Sequence, residues 1–313
     1  MPKMNRREFA KYVGILAPLL RTTATWAKET GSEIAFTFDD PKTEGGARLS
    51  WQEINEGMLT ALAKYRIKAA LFVTGKRTDS EAGRSLVAAW NRAGHTIANH
   101  SYSHLFFNNS EITMAEFESD VLRNEPLIRD YTHFAPLFRF PYFKEGETAE
   151  KRDGMRDFLR AHGYRIGRAT IDASDWAISR RLEARIASLP KADTAPYGVF
   201  FRQHIWERAQ FYDSLARRVL GHTVRHTVLL HHNALNALFL EQLIGMFVDN
   251  GWRPVDAQYA YGDPLYDLQP KTLPAGESLI WALAKESGQF EPELRYPGED
   301  DVYENPKMDA LRL

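Results

Sequence analysis

Short apolar segments alternate with helical patterns along most of this chain, and that alternation limits its fold more than any other feature. Repeated βα units favour a parallel sheet with helices outside it. About seven units over roughly 230 residues approach the size of a (β/α) barrel, and a doubly wound open sheet is the alternative. Strands are predicted at 33–38, 68–73, 95–100, 137–140, 165–171, 227–230 and 252–255.

The intervening segments carry apolar residues at helical spacing. In the first of them Ser50 is placed as the N-cap. We assign the barrel to residues 28–262 and a Pro-rich, acidic C-terminal extension to 263–313, which either wraps the barrel or is partly a disordered tail. Helices are predicted at 51–65, 79–93, 113–131, 148–162, 178–189, 206–219, 234–249 and, in the extension, 277–286.

Charge and composition exclude several classes of function. The 313 residues contain 40 Lys+Arg and 41 Asp+Glu, so the net charge of -1 gives no reason to expect nucleic acid as a partner. Cysteine is absent, so a metal would be held by His, Asp or Glu. No interior stretch approaches the ~20 apolar residues of a transmembrane helix.

The N-terminus has the parts of an export signal. Arg6-Arg7 with Phe9 precedes an apolar segment at 12–20, and Thr25-Trp26-Ala27 is a passable cleavage site. We expect residues 1–27 to be a twin-arginine signal, which would make the protein periplasmic or secreted, with no stable membrane insertion after its removal. A basic amphipathic helix on the folded body is the alternative.

Two adjacent carboxylates, Asp39 and Asp40, follow the first predicted strand. An unpaired charge is costly to bury, so we expect the pair at a pocket mouth near positive partners. We interpret Asp40 as a metal ligand and Asp39 as a base beside it. His100 and His104 follow the third strand, and two His with one carboxylate form a catalytic metal constellation.

Further residues that could pair with a charge, donate a hydrogen bond or transfer a proton follow later strands. Arg139 could hold a carboxylate ionised, and the N–H of Tyr142, after a proline, could donate to an oxyanion. Asp172 is as readily a helix N-cap as a functional group. His231 could be a general acid, and since side chains alternate along a strand, only one of His231 and His232 should face the site.

Five motifs in this order resemble the metal-dependent polysaccharide deacetylases, carbohydrate esterase family four, which carry the NodB homology domain. The resemblance extends over about residues 33–255. It implies a distorted (β/α) barrel with seven strands. The motifs are Thr37-Phe38-Asp39-Asp40, His100-x-x-x-His104, Arg139-x-Pro141-Tyr142, Asp175-Trp176 and Leu229-x-His231.

The resemblance implies hydrolysis of acetyl groups from N-acetylated or O-acetylated sugars of an extracytoplasmic polysaccharide. Asp40, His100 and His104 would hold one divalent metal, zinc in most relatives, with cobalt and nickel as alternatives. Asp39 would be the base that deprotonates a metal-activated water, and Arg139 would pair with it.

The same resemblance implies roles for the later motifs. The Tyr142 N–H would stabilise the oxyanion, and His231 would protonate the leaving amine or alcohol. Asp175 would set the charge of His231, while Trp176 and Leu229 would line the acetyl-methyl pocket.

This chain also departs from the family pattern. Pro41 directly follows Asp40, where relatives have a glycine first, and His231 is followed by His232 in place of aspartate. Segments 177–226 and 263–313 have no recognisable counterpart. The alternatives are an amidohydrolase of the same fold that cleaves a small non-peptide C–N bond, a non-haem iron oxygenase and a catalytically inactive carbohydrate-binding relative.

Overall fold

A seven-stranded sheet in which every pair is parallel forms the centre of the structure, a computed structural model that describes residues 31–296 and 298–313. The strands are β1 (Glu33–Asp39), β2 (Ala70–Val73), β3 (Thr96–Asn99), β4 (Phe134–Phe138), β6 (Arg165–Ile166), β7 (Arg225–His231) and β8 (Arg253–Pro254), while β5 (Lys144–Gly146) and β9 (Ala275–Gly276) form a separate antiparallel pair. The strand order in the sheet is β6-β4-β3-β2-β1-β7, and β8 pairs with the start of β1.

The sheet is curled, and the segment after β6 links its open end to β7. Beyond β6 the chain stays close to the sheet, and Ile171 forms a parallel bridge with Val228 of β7. The Leu229 N–H donates to the Ile171 carbonyl at 3.0 Å. The predicted α/β distorted (β/α)7 barrel is therefore confirmed.

Helices surround this barrel, and most begin or end close to the predicted bounds. The helix predicted at 206–219 instead begins at Ala195, because Pro196 in its first turn is a start signal and apolar residues continue upstream. The helices are α1 (Trp51–Lys64), α2 (Gly75–Thr78), α3 (Glu81–Arg92), α4 (Met114–Ile128), α5 (Ala149–Ala161), α6 (Asp175–Ser188), α7 (Ala195–Leu220), α8 (Ala234–Asp249), α9 (Ala257–Ala260), α10 (Leu279–Ser287) and α11 (Asp301–Ala310).

Strand β1 is buried on both faces, as expected for a parallel strand inside a barrel. Phe36 and Phe38 on one face and Thr37 on the other have no solvent exposure. Phe36 packs edge-on against Phe247 of α8, at 5.9 Å between ring centroids. This packing fixes the position of the polar residues at the end of the strand.

The C-terminal extension lies against the barrel in its described residues. β9 pairs with β5, and the Ser278 hydroxyl donates to the Thr170 carbonyl at 3.0 Å. The predicted export signal at 1–27 lies outside the described residues. Among the residues that the structure covers, no helix combines the length and apolar character needed to span a membrane.

Buried Glu145 of β5 joins the barrel to this extension. It accepts hydrogen bonds from Arg156 at 2.6 Å and from Arg168 at 2.8 Å. The same arginines donate to the carbonyls of Pro270 and Leu268. Burial acts to raise the pKa of Glu145, but the two guanidinium groups outweigh burial and lower the pKa to about 2.

Glu145→Gln should destabilise the fold by about 3–5 kcal/mol, because it leaves two buried arginines without their anion. Denaturant unfolding measures this change. Since the folded-state pKa of Glu145 lies below its ordinary 4.5, its contribution is present above pH 4.5 and is lost as pH falls towards about 2. The control is Glu241→Gln, which removes an exposed ion pair with Lys64 and should leave the stability nearly unchanged, because water and salt screen that pair.

Candidate metal centre and active site

The predicted site residues meet where the parallel strands end. β1 ends at Asp39, β3 is followed by His100, β4 is followed by Arg139, and β7 ends at His231. This is the edge at which barrel active sites are built. Asp39 and His231 are directly paired positions on neighbouring strands.

Asp40, His100 and His104 form a set of three metal-ligand side chains. Each offers one ligand atom, and these atoms all lie within 4.8 Å of one another. His104 Nε2 lies 3.4 Å from Asp40 Oδ2. Two imidazoles and one carboxylate suit a divalent transition metal and leave further coordination positions open.

The protonation of the two histidines fits this role. His100 Nδ1 lies 2.8 Å from the Arg139 carbonyl, and since a carbonyl only accepts, Nδ1 carries the proton and Nε2 keeps its lone pair. Burial lowers the pKa of His100 and of His104 to about 4. Both rings are therefore neutral at pH 7, which is the form that binds metals.

The Asp40 carboxylate is held by two groups outside the predicted motifs. The Thr74 hydroxyl donates to Oδ1 at 2.5 Å, and Arg77 Nε lies 3.6 Å from the same oxygen. Burial acts to raise the pKa of Asp40, but His100 and His104, which are protonated at the acidic pH where Asp40 titrates, outweigh burial together with Arg77. The pKa of Asp40 is therefore held below its usual range. Oδ2 is thus the oxygen directed towards His104.

Left-handed backbone is concentrated at this site. Asp40, Ser101, His104, Tyr142 and Phe143 all have φ between 56° and 61°. Such conformations are unfavourable for residues with a side chain and persist where the surroundings enforce them. Proline disfavours right-handed helical backbone in the residue before it, and Asp40, which precedes Pro41, adopts the left-handed region.

Thr74→Val should weaken metal binding by roughly 10- to 100-fold, because it removes the hydroxyl that orients Asp40 while keeping the shape of the side chain. Competition with a chromogenic chelator measures the affinity. Thr74→Ser, which keeps the hydroxyl, should retain most of it. Equal affinity in the valine variant and the wild type would show that this hydrogen bond does not position the ligand.

Asp39 forms a buried ion pair with Arg139, at 2.7 Å between Oδ1 and Nη1. Burial raises the pKa of Asp39 to about 6, although Arg139 and His231 oppose the rise. Arg139 also donates to the Tyr261 hydroxyl at 2.9 Å and lies over the Phe72 ring. The sequence reasoning missed Tyr261, and no motif marks it.

His231 forms a second charged pair with Asp175, which has no solvent exposure. His231 Nδ1 donates to Asp175 Oδ1 at 2.7 Å, and the His231 N–H donates to Oδ2 at 3.0 Å. The side-chain amides of Asn233 and Asn236 also donate to Oδ2. Sequence reasoning missed both asparagines, although Asn233 directly follows the two histidines.

The adjacent residues His231 and His232 differ in pKa and therefore in charge near neutral pH. Burial alone would lower the pKa of His231, but Asp175 outweighs burial and raises it to about 9. His232 is buried beside Trp90, neither of its ring nitrogens has a hydrogen-bond partner among the described residues, and burial lowers its pKa to about 4. The histidine of this pair that is protonated near neutral pH is therefore His231.

The sequence singles out four further residues, and the structure shows where each one lies: Tyr142, Leu229, Trp176 and Asp172. The Tyr142 ring is exposed and lies 4.5 Å from the His104 ring, between centroids. Leu229 packs in a small buried cluster with Phe143, and Trp176 is half-buried. Asp172 is not an N-cap, since the helix that follows is capped at Ser174.

Asp175→Asn should lower the pKa of His231 from about 9, because the imidazolium loses its anionic partner. A histidine NMR titration of metal-free protein measures the change. Asp193→Asn, on an exposed loop, is the charge-matched control and should leave the titration unchanged. An unchanged His231 pKa in the Asp175 variant would contradict the assigned pairing.

Known proteins support the family resemblance. Residues 27–167 match the family model described as polysaccharide deacetylase. The resemblance inferred from the motifs is thereby confirmed. The matched residues include the first three motifs, and the motifs at 175–176 and 229–231 lie beyond them. The chain is also 28% identical over 146 residues to a peptidoglycan-N-acetylglucosamine deacetylase of Bacillus cereus.

That alignment covers 46% of this chain and 46% of the relative, so it spans about half the length of the curated relative. Among solved structures, a mutant of a CE4 family pseudoenzyme from Bacillus anthracis has 16% identity and a TM-score of 0.50, over 74% of this chain and 67% of that one. This likeness shows a shared fold. A family 4 carbohydrate esterase from Streptomyces lividans, in complex with acetate, has 20% identity and a TM-score of 0.48 over 73% of this chain and 95% of that one.

Proposed function

We propose that this protein is a metal-dependent hydrolase that removes acetyl groups from N-acetylated, or O-acetylated, sugars of an extracytoplasmic polysaccharide. The observation that carries the proposal is the placement of two charged pairs at one strand edge. Asp39 and His231 are paired positions of β1 and β7, beside the metal-ligand set. Asp39 forms its ion pair with Arg139, and His231 forms its own with Asp175. This arrangement supplies a base and an acid to one reacting centre.

The metal, held by Asp40, His100 and His104, would acidify water and polarise the acetyl carbonyl. Asp39 accepts a proton from the water while the water oxygen bonds to the carbonyl carbon of the acetyl group. The Tyr142 N–H donates to the oxygen that gains negative charge.

Collapse of this tetrahedral species breaks the bond to the sugar nitrogen or oxygen. The leaving group takes a proton from His231 Nε2, and the acyl product departs as acetic acid, which loses its proton to water. His231 suits this step because its Nδ1–H is held by Asp175, so the proton that it loses is the one on Nε2. Asp175 stabilises the imidazolium before the transfer.

The proposed substrate follows from the relative's chemistry. The Bacillus cereus relative is a deacetylase of peptidoglycan N-acetylglucosamine, so an N-acetylglucosamine glycan is the first substrate to test. Residues 1–27 would act as a twin-arginine signal that delivers the enzyme to the periplasm or outside the cell. Zinc is the first metal to test, followed by cobalt and nickel.

The two charged pairs also separate this proposal from the oxygenase and from the inactive carbohydrate-binding relative. A non-haem iron oxygenase would use the two His and one carboxylate but would need neither Asp39–Arg139 nor His231–Asp175. A carbohydrate-binding relative without activity would not need a protonated His231 beside the ligand set. Both pairs fit proton transfer during hydrolysis.

The zinc-loaded protein should release acetate from N-acetylated glycan oligomers, and a chelator should abolish the release until metal is restored. Asp39→Asn should reduce the rate at least about 100-fold, because the general base is lost, while metal still binds. Asp40→Asn should reduce both metal binding and rate. Full activity in Asp39→Asn would contradict the assigned base, and chelator-resistant release would contradict the metal's role.

A further inference from the structure

Two exposed aromatic rings lie beside the metal-ligand set. Phe106 is 43% exposed and Tyr142 is 56% exposed. Their centroids are 5.4 Å apart in an edge-to-face arrangement, and the Tyr142 ring lies 4.5 Å from His104. A continuous aromatic surface therefore runs from a metal ligand outwards to Phe106.

Phe106 is held in this exposed position by a well-anchored loop. The next residue, Phe107, is fully buried and stacks on Phe117 at 4.2 Å. Lys151 Nζ donates to the carbonyls of Phe107 and Asn109, and the Asn109 N–H donates to the Phe106 carbonyl at 2.9 Å. Since Phe107 fills the core position, the Phe106 ring is left partly exposed to solvent.

An exposed apolar surface next to a reacting centre indicates a binding surface. We propose that Phe106 and Tyr142 form an aromatic subsite that packs against the sugar ring next to the acetylated unit. The C–H face of a pyranose is apolar and flat, so it can lie on an aromatic ring while its hydroxyls stay in water. The proposal rests on the proposed glycan deacetylase function. It adds that the enzyme prefers an oligosaccharide substrate to a single sugar.

The position of Phe106 argues for a sugar neighbour as the occupant. Tyr142 lies between Phe106 and the ligand His104, so a ring over Phe106 is displaced from the acetylated unit along the surface. The patch consists of two side chains, which suits one sugar ring and is small for a protein interface. Its aromatic rings are uncharged, so the contact would not require an ionic substituent on the glycan.

Steady-state acetate release from N-acetylglucosamine oligomers of one to five units tests the subsite. Phe106→Ala should raise KM for the tetramer roughly three- to tenfold, and it should raise KM for the single sugar less. Phe106→Trp, which keeps a flat aromatic ring, should retain the low KM of the wild type for the tetramer. Tyr296→Ala removes an exposed ring on the C-terminal extension and should leave both KM values unchanged.

The outcomes separate the subsite from the proposed function. Wild-type protein that releases acetate from no oligomer overturns the deacetylase proposal. Active wild type with an unchanged tetramer KM in Phe106→Ala overturns the subsite alone, and so does an equal rise for every chain length. If Phe106→Ala fails to fold, as thermal unfolding would reveal, Phe106→Leu keeps the apolar bulk and should still raise the tetramer KM, since it lacks the flat ring.

Discussion

Burial of two adjacent carboxylates at the end of β1 is the constraint on which the rest of the site depends. Asp39 and Asp40 are both largely removed from water, and two unpaired anions there would be strongly destabilising. The structure compensates each one separately. Asp39 receives the Arg139 guanidinium, while Asp40 receives the Thr74 hydroxyl and a nearby Arg77. The two acids are thereby given different environments although they are neighbours in sequence.

The barrel makes that separation possible because its strand ends converge. Successive strands deliver His100, Arg139 and His231 to the edge where β1 ends. The Arg139 backbone carbonyl orients His100, while its side chain holds Asp39, so one residue links the metal-ligand set to the proposed base. A substitution at Arg139 would remove the guanidinium from Asp39, whereas the backbone carbonyl that orients His100 would remain.

Much of this arrangement follows from sequence because it depends on strand ends. The βα alternation places polar residues such as Asp39 and His231 at one edge, and their chemistry indicates how they would pair. The partners Thr74, Tyr261 and Asn236 cannot be predicted in this way. Each is a single polar residue on another element and carries no local pattern, so only tertiary packing reveals its contact.

Two further features lay beyond local sequence reasoning. His231 and His232 are chemically identical in sequence, and their roles separate only because one meets Asp175 and the other meets Trp90. The acidic stretch near residue 300 resembles a solvated tail. Its Glu299 side chain is instead fully buried, because Arg208 from the distant α7 and the nearby Arg295 neutralise it.

The division of work between the two carboxylates can be tested most directly by a crystal structure of zinc-loaded protein with anomalous scattering at the zinc edge. The account predicts one ion bound by Asp40, His100 and His104, with Asp39 outside the ligand set and still paired with Arg139. An ion bound through Asp39, or bound away from both histidines, would contradict it.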